Sequence, residues 1–349
     1  MRNFPSLLNV VQRNCDISDA RHAGEYGLCT FLLKMREYYR WENELPFTRA
    51  LPRDELGDWL KTRELHWDGI EREEFGPLPL ERGVLDPFDA EAANRELLPH
   101  GCVYSAGYGS FRKPVFFLGQ LLRVEQRAGL TILISSCEYA RELGAPPAML
   151  QGKTIFVRME SVRRYLWEKI EEWQWRKLDN GMARALAAYD FIGAPEAALQ
   201  RMAENEMETM ILHELGEATA GELLGEAWHE VALSVGRSRA EVLVRAVRDL
   251  LADCLSTLPG LIERADPAAL HFYFATFDAP RRQLFPQALE AYEHYLQCGS
   301  LDALWRVVRA GKERWLTEAR RLLKLDPAGR EAAIGAMLAT ASAPPGARG

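Results

Sequence analysis

The sequence predicts an α+β fold, with an N-terminal helix and a small, mainly antiparallel sheet with helices, followed by an all-α helical-bundle domain. Apolar residues recur at helical spacing near the N terminus, strand-forming residues concentrate between positions 102 and 158, and no strand pattern follows residue 182. The 349 residues suffice for about two domains. We place them at residues 1–180 and 181–339, and predict a disordered tail at 340–349.

The N-terminal part of the first domain is predicted to be helical. A long helix is expected over residues 15–42, where Leu28, Phe31 and Met35 fall on one side at helical spacing. Repeated prolines between residues 43 and 101 indicate loops with short helices near 53–65 and 90–97.

Strand patterns follow in a stretch rich in Val, Ile, Phe and Tyr. The predicted strands are Cys102–Tyr108, Pro114–Val124, Leu130–Ser135 and Lys153–Arg158. A short helix is expected over 138–143 and a longer one over 160–177. The turn-forming residues Leu178, Asp179, Asn180 and Gly181 then mark the domain boundary.

The second domain carries helical patterns alone. Helices are predicted over 182–191, 195–230, 239–258, 287–297, 301–311 and 312–324. Successive helices without strands indicate a bundle.

Composition limits the classes of function. Hydrophobic residues make up 48% and charged residues 27%, which is typical of a soluble protein with a core. The chain has 43 basic and 50 acidic residues, which gives a net charge of −7. A negative net charge disfavours nucleic acid as a partner, because it repels the phosphate backbone. No apolar run approaches the ~20 residues of a membrane helix, so we expect no membrane partner.

Cysteine usage and the N terminus predict a cytoplasmic location. The six cysteines form no CxxC pair, which disfavours a zinc ribbon or a disulfide framework. The N-terminal residues do not form the apolar core of a signal peptide.

The most informative pattern is a cluster of ionisable residues on one predicted helix. Glu206, His213 and Glu217 lie within about 40° of one another on a helical wheel, on a side that also carries apolar residues. Buried carboxylates and imidazoles require partners or a metal. Asp249 and Asp253, four residues apart on the next long helix, are candidates for further ligands, so the five residues together predict a metal site.

Carboxylates with one histidine favour iron or manganese as the cofactor, with oxidative or hydrolytic chemistry. Glu214 is the candidate acid or base.

The segment from His213 to Glu217 resembles a zinc-protease HExxH motif, but Glu217 replaces the second histidine and disfavours that activity. Gly216 would allow another helix to approach closely.

A non-enzymatic interpretation stays open. The same glutamates and histidine can pair with arginines such as Arg201, Arg245 or Arg248, and the two aspartates can lie on a solvated face. The protein would then be an interaction or assembly module with a structural ion-pair network, and a protein partner or homo-oligomer is expected. The sequence defines no small-molecule substrate.

Three segments together resemble a family of uncharacterised bacterial proteins. They are 14–42, which starts Asn14-Cys15-Asp16-Ile17-Ser18-Asp19, 145–152 (Ala-Pro-Pro-Ala-Met-Leu-Gln-Gly) and 213–221. The resemblance spans most of the chain. It implies a bacterial, cytoplasmic protein and supplies no catalytic residues, because the family has no assigned activity.

Overall fold

The computed structural model describes residues 3–109, 113–234 and 239–342. The fold is α+β, as predicted. Contacts divide the chain into one compact unit of Met1–Glu171 with Phe191–Glu204, and a second of Glu172–Asp190 with Asn205–Gly349. The domain boundary after residue 180 stays a prediction. Of the predicted tail, residues 340–342 end the last helix, and residues 343–349 lie outside the described residues.

The first half of the chain contains five helices and two sheets among its described residues. The helices are α1 (Phe4–His22), α2 (Leu28–Glu42), α3 (Arg53–Ile70), α4 (Ala90–Leu97) and α5 (Met159–Gln174), with 3-10 turns at Ala23–Glu25 and Leu98–His100. The strands are β1 (Leu78–Leu80), β2 (Gly83–Leu85), β3 (Cys102–Tyr108), β4 (Pro114–Arg127), β5 (Leu130–Arg141), β6 (Ala148–Gln151) and β7 (Thr154–Arg158).

The larger sheet has the strand order β3-β4-β5-β7-β6. Its pairings are antiparallel except that of β5 with β7, which is parallel with Ile132 opposite Ile155. The strand β3 has the predicted bounds. Apolar side chains such as Phe116 and Leu118 of β4 are fully buried against α1 and α4. The sheet therefore forms the centre of the first unit.

Buried polar side chains join the helices of this unit to backbone groups. The Cys15 thiol of α1 donates to the Phe116 carbonyl at 3.2 Å. The Asn94 amide of α4 donates to the Tyr104 carbonyl at 2.7 Å and accepts from the Tyr104 N–H at 2.9 Å. These bonds satisfy groups that would otherwise be buried without partners, so they fix how each helix lies on the sheet.

Two helical predictions in this region were wrong. The helix predicted over 15–42 begins at Phe4 and is interrupted between His22 and Leu28, where Gly24 and the extended Gly27 end the helical pattern. The residues 138–141 continue β5 rather than forming a helix. Their backbone pairs with β4, since Ala140 lies opposite Leu118, and this pairing overrides the local helical preference.

The second half is helical throughout its described residues. It contains α6 (Gly181–Leu186), α7 (Pro195–Leu224), α8 (Ala227–Ser234), α9 (Arg239–Ala252), a π-helical segment (Asp253–Thr257), α10 (Leu258–Arg264), α11 (Pro267–Thr276), α12 (Ala279–Leu284), α13 (Pro286–Cys298), α14 (Asp302–Leu323) and α15 (Pro327–Ser342).

Several helix boundaries differ from the prediction, and no helix was predicted for most of α10 or for α11, α12 and α15. The helix predicted over 195–230 is split at Gly225, whose φ of +73° is left-handed and ends α7. The two helices predicted over 301–324 form the single helix α14. The missed helices α11 and α12 begin at aspartate N-caps: Asp266 accepts from the Ala268 N–H at 3.0 Å, and Asp278 from the Arg281 N–H at 3.0 Å.

The core of the second unit is a continuous apolar cluster that α9 and α14 share with neighbouring helices. Trp315 is completely buried in it and packs edge-to-face on Phe285. None of the helices in the described ranges is long and apolar enough to cross a membrane.

Replacing Gly119 by alanine is expected to destabilise the first unit. A Cβ at this position on β4 would lie 2.5 Å from the Cys137 carbonyl oxygen. Overpacking of this kind costs about 2 kcal/mol, which is a fall of about 4–8 °C in Tm. The Gly57→Ala change is the control, because a Cβ at Gly57 in α3 meets no atom within 4 Å and alanine favours the helix. Thermal unfolding followed by circular dichroism measures both, and an equal Tm for the two variants would contradict the expectation.

Candidate functional site

The site begins where α7 crosses α9. A Cβ built on Gly216 would lie 2.3 Å from the Ala252 carbonyl oxygen, so the two backbones touch at a distance that glycine alone permits. This confirms the sequence interpretation of Gly216. The contact places one turn of α7, from His213 to Glu217, beside residues 249–253.

A hydrogen-bond chain starts at the half-buried His213 and leads to the buried Asp253. Its Nδ1 lies 3.1 Å from the Oδ1 atom of Asp253. The other carboxylate oxygen of Asp253 accepts from the Tyr273 hydroxyl at 2.8 Å and from Arg281 Nη1 at 3.0 Å. Three donors therefore hold this aspartate, which in turn orients the imidazole with its Nε2 directed away from Asp253.

Three side chains of the predicted set come together beside this chain. One ligand atom from each of His213, Glu217 and Asp249 lies within 4.8 Å of the others. Arg248 binds the Oε2 atom of Glu217 at 2.7 Å, while the Oε1 atom is buried without a hydrogen-bond partner among the described residues. The Arg248 guanidinium also lies 4.0 Å from a Cβ built on Gly221, one turn beyond Glu217.

Burial and charge shift the pKa values of the group. Burial alone would lower the pKa of His213, but the hydrogen bond and charge of Asp253 raise it to about 10. Burial opposes ionisation of Asp253, yet His213 and Arg281 hold its pKa well below the ordinary range. Burial and the negative charge of Glu217 raise the pKa of Asp249 to about 7. Burial likewise raises the pKa of Glu217, against the opposing charges of Arg248 and His213.

The two remaining predicted residues lie in different surroundings. Glu206, two turns before His213 on α7, is outside the group of three and is 1% exposed. Burial raises its pKa to about 8; the Thr209 hydroxyl and the positive charge of Arg264 oppose the shift, and the charge of Asp266 adds to it. Glu214 is partly buried next to His213, and its charge raises the pKa of both His213 and Glu217. Their predicted roles as a metal ligand and as an acid or base stay predictions.

Asp253 opens the π-helical segment, which lies between α9 and α10. Pro259 follows this segment, and proline cannot donate the hydrogen bond that an α-helix requires or fit against the carbonyl four residues earlier. The wider π turn relieves this conflict, and such turns are frequent at functional sites.

Sequence reasoning missed Tyr273 and Arg281. Arg281 lies in α12, a six-residue helix that no apolar periodicity predicts. The Asp278 N-cap and Pro280 form a helix-start signal that could have indicated it. Its contact with Asp253 spans 28 residues, and sequence spacing does not reveal such a contact.

These features define an α+β protein whose helical half carries a histidine–carboxylate cluster. Two family models match most of the chain: residues 6–158 match the N-terminal domain, and residues 163–342 the C-terminal domain, of a "Family of unknown function (DUF6866)". The chain belongs to this family. No curated protein and no solved structure matches it. The resemblance to an uncharacterised family is confirmed, and the bacterial origin stays a prediction.

Gly216→Ala is expected to separate α7 from α9 and to weaken the His213–Asp253 contact. The overpacking costs about 1–3 kcal/mol and lowers Tm. Gly221→Ala on the same helix is the matched control, since the nearest atom to its Cβ would be Arg248 Nη2 at 4.0 Å. Thermal unfolding should show a fall for the first variant and none for the second. Equal effects would show that the close helix contact is not required.

Glu206→Gln is expected to stabilise the protein more at pH 8.5 than at pH 5. The pKa of Glu206 is about 8 in the folded protein and near 4.5 when unfolded, so the folded form retains a proton that the unfolded form releases. Stability from the wild-type residue is therefore lost as pH rises from about 4.5 to 8. The Tm difference between variant and wild type, measured across this range, should grow with pH. A constant difference would refute the shift.

Proposed function

We propose that the chain binds one divalent metal ion, iron or manganese, through His213, Glu217 and Asp249. The observation that carries the proposal is the convergence of one imidazole and two carboxylates from α7 and α9 within 4.8 Å. Metal ligands at about 2.1–2.3 Å lie about 3–4.6 Å apart, so small side-chain movements would bring the three donors onto one ion.

Electrostatics support a cation at this place. Burial and neighbouring acids raise the pKa values of both Glu217 and Asp249. The charge of Glu217 raises the pKa of Asp249, and the charge of Asp253 raises the pKa of both. A divalent cation would stabilise both carboxylates in their ionised form and would displace the proton from His213 Nε2. The partly exposed His213 side chain, 32% accessible, leaves a path for an ion from solvent.

In this proposal Asp253 orients His213 and does not itself bind the metal. A histidine that binds a metal through one ring nitrogen usually donates its other N–H to a carboxylate, and Asp253 accepts from His213 Nδ1. The sequence prediction of Asp253 as a ligand is thereby revised in the proposal, since Tyr273 and Arg281 already hold its second oxygen.

The donor set favours iron or manganese. Carboxylates suit hard ions such as Mn²⁺, and imidazole suits Fe²⁺ as well as Zn²⁺. Three protein ligands leave further coordination positions for water or a substrate, which allows oxidative or hydrolytic chemistry. Glu214, beside His213, is the proposed acid or base.

Metal loading tests the proposal. The metal-free 349-residue chain, incubated anaerobically with Fe²⁺ or with Mn²⁺ and then desalted, should retain about one equivalent of metal by plasma mass spectrometry. Glu217→Gln and Asp249→Asn should each lower the retained metal strongly, because a neutral amide is a weak ligand.

Glu214→Gln and Glu206→Gln are the matched controls for this measurement. Both remove a carboxylate from α7 without removing a proposed ligand, so both should retain metal. A wild-type protein that holds no iron, manganese or zinc after loading would overturn the proposal, and equal retention in all four variants would place the metal elsewhere.

Asp253→Asn is expected to weaken metal binding without abolishing it. Loss of a carboxylate that supports a ligating histidine typically lowers affinity about 10–100-fold. Competition with a coloured chelator measures the Kd, and circular dichroism checks that the variant folds. An unchanged Kd in a folded variant would show that Asp253 does not support the site.

A structural ion-pair network is the second candidate function for the cluster. The observation that favours it is the presence of two arginines, Arg248 on Glu217 and Arg281 on Asp253. The protein would then be a non-enzymatic interaction or assembly module. Absence of metal after loading, together with a lower Tm for Glu217→Gln, would support this candidate.

A further inference from the structure

A polar cavity lies within the first compact unit. It has a volume of about 370 Å³, within the range of small-molecule pockets. Its apolar lining includes Leu45, Pro46 and Phe47, after α2. Its basic lining includes Arg141 of β5 and two consecutive arginines of α5, Arg163 and Arg164.

These three arginines share an unusual property. Each has a buried N–H group without a hydrogen-bond acceptor in the part of the chain that the structure describes: Arg141 through Nη2, and Arg163 and Arg164 through Nε. A buried donor without an acceptor is costly, so such groups are rare unless a ligand or water completes them. Three at one cavity indicate a place for an acceptor with several oxygen atoms.

Arg141 is the central donor. Its side chain is 1% exposed, and its guanidinium lies over the rings of Tyr38 and Trp41 at 5.8 and 5.6 Å. Its closest carboxylate is Glu138 at 3.6 Å, which Arg158 binds more closely at 2.7 Å. Arg141 is therefore fixed in position while its Nη2 atom has no hydrogen-bond acceptor among the described residues.

Three of the four acidic residues of the cavity are already engaged, and the fourth, Glu44, is exposed to solvent. Glu37 pairs with both Arg36 and Arg40, and Glu196 accepts from the backbone and hydroxyl of Thr48. One oxygen of Glu160 accepts from the Glu138 N–H at 2.7 Å. Burial and the charge of Glu138 raise the pKa of Glu160, which lessens its repulsion of an anion.

We propose that this cavity binds a small molecule with an oxyanion group, carboxylate or phosphate, attached to a planar apolar body. The oxyanion accepts from Arg141, Arg163 and Arg164, since guanidinium groups match planar and tetrahedral oxyanions. The apolar body lies against Leu45, Pro46 and Phe47. This site is independent of the proposed metal site, because its residues all belong to the first unit.

Calorimetric titration of the 349-residue chain with three probes tests the proposal: benzoate, phenyl phosphate and inorganic phosphate. Benzoate or phenyl phosphate should bind at one site. Tighter binding of phenyl phosphate identifies a phosphate ligand, and tighter binding of benzoate identifies a carboxylate. Arg141→Gln should weaken the binding at least about tenfold, as expected for loss of a charged hydrogen bond.

Two further variants, one that fills the cavity and one control, test whether the probes bind at this site. Leu45→Trp should fill the cavity from its apolar lining and leave the arginines unchanged. It therefore tests ligand binding at this cavity even if Arg141→Gln does not fold. Arg123→Gln is the control, because Arg123 is an exposed arginine of β4 that pairs with Glu125 and does not line the cavity. Absence of binding by all three probes at millimolar concentration would show that solvent completes the arginines and would overturn the proposal. Binding that persists in Leu45→Trp would overturn it as well.

Discussion

The backbone contact between Gly216 of α7 and Ala252 of α9 is the constraint on which the polar cluster of the second unit depends. A side chain at position 216 would keep the helices apart, and His213 would no longer reach Asp253 at 3.1 Å. The buried aspartate would then lose a charged partner, and breaking a buried pair in this way is strongly destabilising. The glycine therefore determines both the packing of the helices and the electrostatics of the site.

The first unit also organises its sheet around buried charge. Glu138 and Glu142 of the β5 region bind Arg158 of β7, and Glu138 also accepts from the backbone and hydroxyl of Ser161 at the start of α5. These bonds lower the pKa of Glu138 to about 2 although burial opposes its ionisation. The same end of β5 positions Arg141 at the cavity. Charge pairs in this unit thus serve as structural links between neighbouring elements.

Periodicity predicted those parts of the fold whose pattern is local. The strand β3 was predicted with its observed bounds, and α9 and α13 were predicted as helices, because apolar residues recur at the spacing of the element. The segment 138–141 was mispredicted since its Glu, Tyr, Ala and Arg favour a helix, whereas its conformation is set by pairing with β4 and by buried ion pairs.

In the candidate site, the alignment of His213 and Glu217 followed from helical spacing. The approach of Asp249 was a hypothesis, and the contributions of Tyr273 and Arg281 were missed because they come from helices distant in sequence.

The π-helical segment gives the chain a requirement for length as well as for composition. A π turn holds one residue more than an α turn, so it accommodates an extra residue while the residues on either side keep the angular phase of a shorter α-helix. Asp253 and Gly260, which meets Leu212 of α7, are placed relative to each other by this turn. Removing a single residue from 254–257 would retain that phase but would force Pro259 into a continuous α-helix, which proline does not fit. A further inserted residue would instead rotate everything beyond it by about 100° relative to Asp253, whereas substitutions in this stretch can be absorbed by local repacking.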